Sequence, residues 1–246
     1  MTQIDWTIYS NDTTEIYLNN NQIQELNWEG CPKTLTRIWL EYNKIKEINW
    51  KDCPSNLTTI KLGYNKIKEI NWKGCPNTLT YMSLYGNQIK EINWKDCPEI
   101  IRNRTYIDLS KNQIKKMNLE EFSKTLTIID LSHNKIQELN WKGCPENLTK
   151  INLSYNNIKE INWKDSPENL TKINLNHNQI TEMNWEGCPN TLTYMSLDRN
   201  QIKEMNWKGC PDNLTKIDLS YNKIQELRII NWKYVPWNIQ YIWPED

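Results

Sequence analysis

Seven cysteines and two histidines are the side chains that could hold a metal, cycle between thiol and disulfide or activate a nucleophile. The cysteines are Cys31, Cys53, Cys75, Cys97, Cys144, Cys188 and Cys210, which recur at a single constant period or at multiples of it, with one extra three-residue insertion. Stacked at that period, neighbouring thiols would lie about 5 Å apart, near enough to oxidise or share a soft metal. Yet there is no C-x-x-C pair, and Phe122 and Ser166 stand in the same column. A column that accepts Phe is a packing column, so buried thiols are expected. His133 and His177 stand two periods apart, about 10 Å, too far to share one ion. No Ser, Cys or carboxylate has a recurrent partner at nucleophile or acid–base spacing, and no Gly-rich phosphate loop is present. The expectation is a protein that is not an enzyme and has no cofactor and no metal.

The period that carries these residues organises the whole chain. Aligning the Asn of x-x-N-x-I gives Asn21, Asn43, Asn65, Asn87, Asn112, Asn134, Asn156, Asn178, Asn200 and Asn222, all equally spaced except where a three-residue insertion lengthens the step between Asn87 and Asn112. Each copy reads L-x-x-I-x-L-x-x-N-x-I, as in Leu35, Ile38, Leu40, Asn43 and Ile45. This resembles the leucine-rich repeat, and the resemblance implies a right-handed solenoid with a concave parallel sheet. It covers nearly all 246 residues. Strands are expected at Thr14 to Leu18, Thr36 to Leu40 and so on to Thr215 to Leu219, with a last one at Gln240 to Trp243. Their period of two turns Ile38 and Leu40 inward and Arg37 and Trp39 outward. The rest of each turn, such as KIKEINWKDCPSN, is too short and too Pro-punctuated for a long helix, so a β-rich member of the α/β-solenoid class is expected, its convex side extended or 3₁₀.

One domain over 1–246 is read: a truncated capping repeat at 1–12, ten repeats over 13–227 with a three-residue insertion near 99–104, and an aromatic cap at 228–246. A short helix is expected at Leu119 to Lys124, where NLEEFSK replaces NWKGCP. Lys plus Arg equal Asp plus Glu at 30 each, so nothing favours nucleic acid or an anionic membrane. No apolar run approaches a membrane span and no secretory leader is recognisable, which with the odd cysteine count predicts a cytoplasmic protein that is not secreted. The N-x-T triplets at Asn56, Asn103, Asn147, Asn169 and Asn213 are read as products of an Asn-rich repeat rather than as glycosylation sites. The absence of Ala, the single Val235 and the abundance of Asn, Ile, Lys and Tyr look like an AT-rich coding genome.

Stacked repeats turn each position into a column. The Asn column (Asn43, Asn65, Asn87, Asn112, Asn134, Asn156, Asn178, Asn200, Asn222) is expected to turn inward and satisfy backbone groups of neighbouring turns. The Trp column (Trp28, Trp50, Trp72, Trp94, Trp141, Trp163, Trp185, Trp207) is expected to be partly buried on the outer arc. A lattice of Glu and Lys, such as Glu47 between Lys46 and Lys51, should cover the solvated side. Individuality is confined to the outward strand positions and the residues just after them. These give a candidate protein-binding face: Tyr17, Arg37, Trp39, Tyr42, Lys61, Tyr64, Tyr81, Tyr85, Tyr106, Asp108, Asp130, Lys150, Lys172, Tyr194, Lys216 and Asp218. Its first half is aromatic, and Tyr, Trp and Arg dominate interface hot spots. The outward series are extended through Ser83 and Ser196 to Tyr241 and Trp243.

The short unit, with Pro54 just ahead of Leu57, is also similar to the short FNIP-type repeats of giant DNA viruses, amoebal proteins and some bacterial effectors. That resemblance implies a substrate-recognition subunit working beside a separate ubiquitin-ligase component, in host cytoplasm if the chain is viral. A monomer, or a weakly self-associating structural protein closing through Trp237, Tyr241 and Trp243, is the other reading.

Overall fold

The structure, a computed structural model, describes residues 2–94, 96–116, 119–224 and the backbone of 240–242. The chain divides into two compact units, one of residues 1–104 and 108–113, the other of residues 105–107 and 114–246. Each is a parallel-sheet β-solenoid. The strands are β1 (Glu15–Tyr17), β2 (Arg37–Trp39), β3 (Thr59–Lys61), β4 (Tyr81–Ser83), β5 (Tyr106–Asp108), β6 (Ile128–Asp130), β7 (Lys150–Asn152), β8 (Lys172–Asn174), β9 (Tyr194–Ser196), β10 (Lys216–Asp218) and β11 (Gln240–Ile242). They form a sheet ordered β1-β2-β3-β4 and a second ordered β11-β10-β9-β8-β7-β6-β5. In register the repeat is kept: Ile16 lies against Ile38, Ile38 against Ile60, and Ile151 against Ile173.

Each strand is three residues long, shorter than the five expected, because the flanking Thr and Leu belong to the backbone ladder without being strand residues. The Leu18 N–H donates to the Trp39 carbonyl at 2.8 Å, and the Thr36 hydroxyl donates to the Thr14 carbonyl at 3.0 Å. The N-x-T triplets have their physical reason in the same ladder. The side-chain amide nitrogens of Asn147, Asn169 and Asn213 donate to the carbonyls of Lys124, Glu146 and Asn190, and Thr149, Thr171 and Thr215 donate one repeat back as Thr36 does.

The Asn column is buried from Asn43 to Asn200 and half-buried at Asn222, and it satisfies both kinds of backbone group. Asn43 Oδ1 accepts from the Ile23 N–H at 3.1 Å, and its Nδ2 donates to the carbonyls of Leu18 at 2.8 Å and Leu40 at 3.0 Å. A repeat too short for a helix leaves those groups without partners, and an unpaired buried one costs about 1–3 kcal/mol. Only an amide offers an acceptor and two donors on one short stem.

The Trp column is more deeply buried than expected: Trp28 is 0 % and Trp50 3 % exposed. Its indole N–H explains why: those of Trp28, Trp50, Trp72, Trp141, Trp163 and Trp185 donate across one repeat, Trp28 to the Asn49 carbonyl at 2.7 Å and Trp163 to Asn184 at 2.8 Å. A buried indole with its one donor satisfied carries no polar cost. Trp6 opens the column from the first repeat, donating to Asn27 at 2.7 Å and stacking on Trp28.

Three expectations are corrected. Leu119 to Lys124 forms turns and no helix; Leu119 and Phe122 take the buried Trp and Cys places of the repeat, and those anchors override helix propensity. The short helix α1 (Glu99–Arg102) sits instead in the three-residue insertion and buries Ile101. Ser83 and Ser196, read as outward, are buried at 5 % and 3 % exposure. The Ser83 hydroxyl accepts from the Leu62 N–H at 3.1 Å. In β11, Gln240 lies against Lys216 and Tyr241 against Ile217, so this strand pairs one residue away from the expected register. Trp237 and Trp243 lie outside the described residues.

Candidate functional site

The strand face is built by two outward strand positions and by the two residues after each inward Leu. The second of these holds a positive φ in repeat after repeat: Asn20, Tyr42, Tyr64, Gly86, Lys111, His133, Tyr155, His177, Arg199 and Tyr221. The backbone requires it, because the chain turns there and sends the N–H to the next repeat, as Tyr42 does to the Gly63 carbonyl at 3.0 Å. For a side chain with a Cβ this region costs roughly 1–2 kcal/mol, so Asn or Gly would be the cheaper choice. Bulky planar side chains held there need a return, and stacking at about 0.5–1.5 kcal/mol a pair supplies one. The residue before it, Glu41 or Tyr85 in the first unit, forms a separate row.

In the first unit the aromatic residues interlock. Tyr17 stacks on Trp39 at 4.2 Å between ring centroids, and the Lys61 ammonium lies 5.8 Å from the Trp39 centroid. Tyr42 stacks on Tyr64 at 4.5 Å, and Tyr85 meets Tyr64 edge-on at 5.2 Å. Tyr85 runs backwards across Gly63 so that its hydroxyl donates to Glu41 Oε1 at 2.8 Å. Tyr64 runs forwards across Gly86, and its hydroxyl accepts from Lys111 Nζ at 2.6 Å. Both glycines are required by this crossing: a Cβ on Gly63 would lie 2.6 Å from Tyr85 Cζ, and one on Gly86 2.8 Å from Tyr64 Cδ1. Burial and the Glu41 carboxylate push the Tyr85 hydroxyl well above the ordinary tyrosine range. The Tyr64 hydroxyl raises Lys111. Arg37 pairs with Glu15, and Arg104 lies 4.8 Å above the Tyr81 ring while donating to the Thr80 carbonyl.

In the second unit the same positions make a regular column. His133 stacks on Tyr155 at 4.1 Å, Tyr155 on His177 at 3.9 Å, and the Arg199 guanidinium lies 4.3 Å from the Tyr221 ring. Lys150 and Lys172 are exposed, and Lys216 lies 5.9 Å from the Tyr194 ring. Tyr106 is 48 % exposed. Three acidic candidates are committed to the backbone instead: the carboxylates of Asp108, Asp130 and Asp218 accept the N–H groups of Ser110, Ser132 and Ser220 at 2.9 to 3.1 Å.

The structure therefore gathers Tyr17, Trp39 and Lys61, with Arg37 joined to Tyr17 through Glu15, into one group and Tyr42, Tyr64 and Tyr85 into another, and leaves the other candidates in pairs or exposed. Sequence reasoning missed Gly63, Gly86, Arg104 and Lys111. A signal for the glycines was present: the other five of the seven lie two residues after the Trp column or its equivalent, and these two do not.

The return arc offers less. Burial raises the thiols, Cys31, Cys75, Cys97, Cys144 and Cys210 to about 12. Cys97 Sγ donates to the Pro98 carbonyl at 3.6 Å. Among the described residues no cluster of three potential metal ligands occurs, and no helix is long and apolar enough to cross a membrane. Shallow grooves on this arc recur with the repeat, around Glu160, Trp163 and Glu182 in one unit and Glu69, Trp72 and Glu91 in the other, so they follow from repeat geometry.

The sequence model "Leucine rich repeat" matches residues 124–180. Comparison with curated proteins gives no match. Among solved structures, a leucine-rich-repeat protein of Leptospira interrogans superposes with a TM-score of 0.72 at 22 % identity, over 93 % of this chain and 60 % of that one. The functional domain of InlJ from Listeria monocytogenes, which includes a cysteine ladder, gives 0.65 at 23 % identity, over 93 % and 47 %. The TLR13–ssRNA13 complex gives 0.60 at 22 %, over 83 % and 31 %. The chain thus covers less than two thirds of the length of each of these neighbours, and about half of InlJ. The fold is that of a leucine-rich-repeat protein, a class that generally serves as a scaffold for protein interaction. These neighbours carry that part of the sequence resemblance and give no support to its viral or amoebal part.

Proposed function

We propose that this chain is a non-enzymatic scaffold that binds a protein partner in the cytoplasm through the strand face of its first unit. One observation carries the reading: Trp39, Tyr42, Tyr64 and Tyr85 are exposed or half-buried, yet each is fixed before any partner arrives. Immobilising a rotamer-rich side chain on binding costs roughly 0.5–1.5 kcal/mol, and a face already ordered avoids it. Aromatic anchors of this kind are what interface hot spots are made of. A stack held only for stability would need no crossing of Tyr64 and Tyr85 over two glycines.

The test is affinity capture from lysate of the source cell, comparing the wild type with a Trp39→Ala, Tyr64→Ala, Tyr85→Ala variant and with a Lys150→Ala, Lys172→Ala control in the other unit. Circular dichroism checks that each is folded. A protein retained by wild type and control and lost by the aromatic variant supports the reading. Retention of the same proteins by all three overturns it. The same capture reports the remaining alternatives: further copies of the chain would indicate self-association, ligase subunits an adaptor role, and RNA a nucleic-acid reader.

A further inference from the structure

We propose that the segment this face reads is acidic, an extended peptide whose carboxylates meet Lys61, Arg104 and Lys111 while its apolar side chains rest on the rim of the aromatic cluster. The inference rests on the protein-binding reading above and adds the chemistry of the partner.

The charges on the face are unequally held. Glu15 is paired with Arg37, while Glu41 and Asp108 keep their charge but are fixed by neutral donors, the Tyr85 hydroxyl and the Ser110 N–H. Lys61, Arg104 and Lys111 form no ion pair among the described residues and lie instead over Trp39, Tyr81 and Tyr64. A cation over a ring gains from the quadrupole and leaves its remaining donors directed outward. The face thus presents three cations that no carboxylate among the described residues pairs at ion-pair distance, Asp108 being near enough to Lys111 only to raise its pKa.

Ring orientation narrows what the anion belongs to. Trp39 is flanked by Tyr17 from the preceding repeat and by Lys61 from the following one, and Tyr64 is met by Tyr42, Tyr85 and Lys111. The central rings, Trp39 and Tyr64, are covered and present edges to a ligand, while Tyr17 and Tyr42 at the rim keep exposed area. A nucleic-acid base needs a free face to stack on. Ring edges carry the positive end of the quadrupole and suit carboxylate oxygens.

The experiment selects binders from a random twelve-residue peptide library on the immobilised chain. Selected sequences should be enriched in Asp and Glu with apolar neighbours. The best synthetic peptide should lose about tenfold in affinity when its acids are replaced by amides, and about tenfold against a Lys61→Glu, Lys111→Glu variant that remains folded by circular dichroism. Raising salt from about 50 to 500 mM should weaken it similarly. Peptides that depend on Tyr64 and Tyr85 but show no acidic enrichment would overturn the inference and leave the protein-binding reading in place. Selection indifferent to Trp39, Tyr64 and Tyr85 would overturn both. A twelve-nucleotide oligouridylate that binds more tightly than any selected peptide would make this a nucleic-acid face and overturn the acidic-peptide assignment.

Discussion

The two units put one backbone to different use on the strand face. At the left-handed position the second unit runs His133, Tyr155, His177, Arg199 and Tyr221, and the row before it runs Ser132, Ser154, Asn176, Asp198 and Ser220. Small polar residues beside planar ones give a regular stack, each side chain on its neighbour one repeat away. The first unit has three rings in these two rows against four, but sets Gly63 and Gly86 where the repeat would place a side chain, and Tyr85 and Tyr64 cross through the two gaps in opposite directions. A stack follows from any repeated planar residue. A crossing requires glycine, tyrosine and the acceptor or donor at the far end to be placed together, which is why the first unit carries the functional proposal.

The contrast is meaningful only if the rest of each repeat is shared, and the thiols test this with the largest effect. Burial holds Cys31, Cys75 and Cys97 in one unit and Cys144 and Cys210 in the other near a pKa of about 12, against about 8.5 for a free thiol. Because the thiolate is the nucleophile, iodoacetamide near pH 8 should alkylate each of them at least about a hundredfold more slowly in the native chain than in urea, read residue by residue by mass spectrometry. A cysteine in one unit that reacts at the unfolded rate would show that the two return arcs differ, and the comparison would lose its common ground.

The Asn column gives the next effect. Asn87 bonds the Ile67 N–H and the Leu62, Leu84 and Tyr85 carbonyls; Asn156 bonds the Ile136 N–H and the Leu131, Leu153 and Ser154 carbonyls. Asn87→Ala and Asn156→Ala should each cost about 3 kcal/mol by urea unfolding, since either strands several buried backbone groups. A loss in one unit below about 1 kcal/mol would mean that water replaces the amide there and that the units are not built alike.

What was legible in the sequence is what the period carries. Asn43, Ile38 and Cys53 could be placed because identical neighbours stand one period away on both sides, so a column's burial follows from its composition. What was not legible depends on departures from the period. The role of Gly63 lies in Tyr85, one repeat ahead and reaching backwards, while Gly86 answers to Tyr64, one repeat behind and reaching forwards. No pattern of types along the chain gives those directions. Asp108, Asp130 and Asp218 looked like surface charges because the groups they bond, backbone N–H groups two residues on, are the same in every sequence. Leu119 to Lys124 misled for a related reason: residues that are fair helix formers in isolation are held in turns by the two columns they must fill.

The finest test compares Gly63→Ala with Ser154→Ala, the corresponding position in the second unit. The Gly63 backbone is not left-handed, so alanine gains roughly 0.4–1 kcal/mol from a stiffer unfolded chain and loses about 1–3 kcal/mol to overpacking against Tyr85. A net loss of about 1 kcal/mol is expected, with Ser154→Ala near neutral. The pH dependence separates displacement of the ring from mere crowding. Tyr85 is raised in the folded wild type, so the native state keeps its proton where the unfolded state has already lost it, and stability falls as pH climbs above about 10. Gly63→Ala should lift the ring off Glu41 and remove that share of the alkaline loss, while Tyr9, raised by burial elsewhere in the unit, titrates alike in both proteins. Absorbance titration of wild type and variant reads this directly. If Tyr85 ionises at the same pH in both, the glycine gap does not hold the ring, and the first unit's face is a stack of the same kind as the second's.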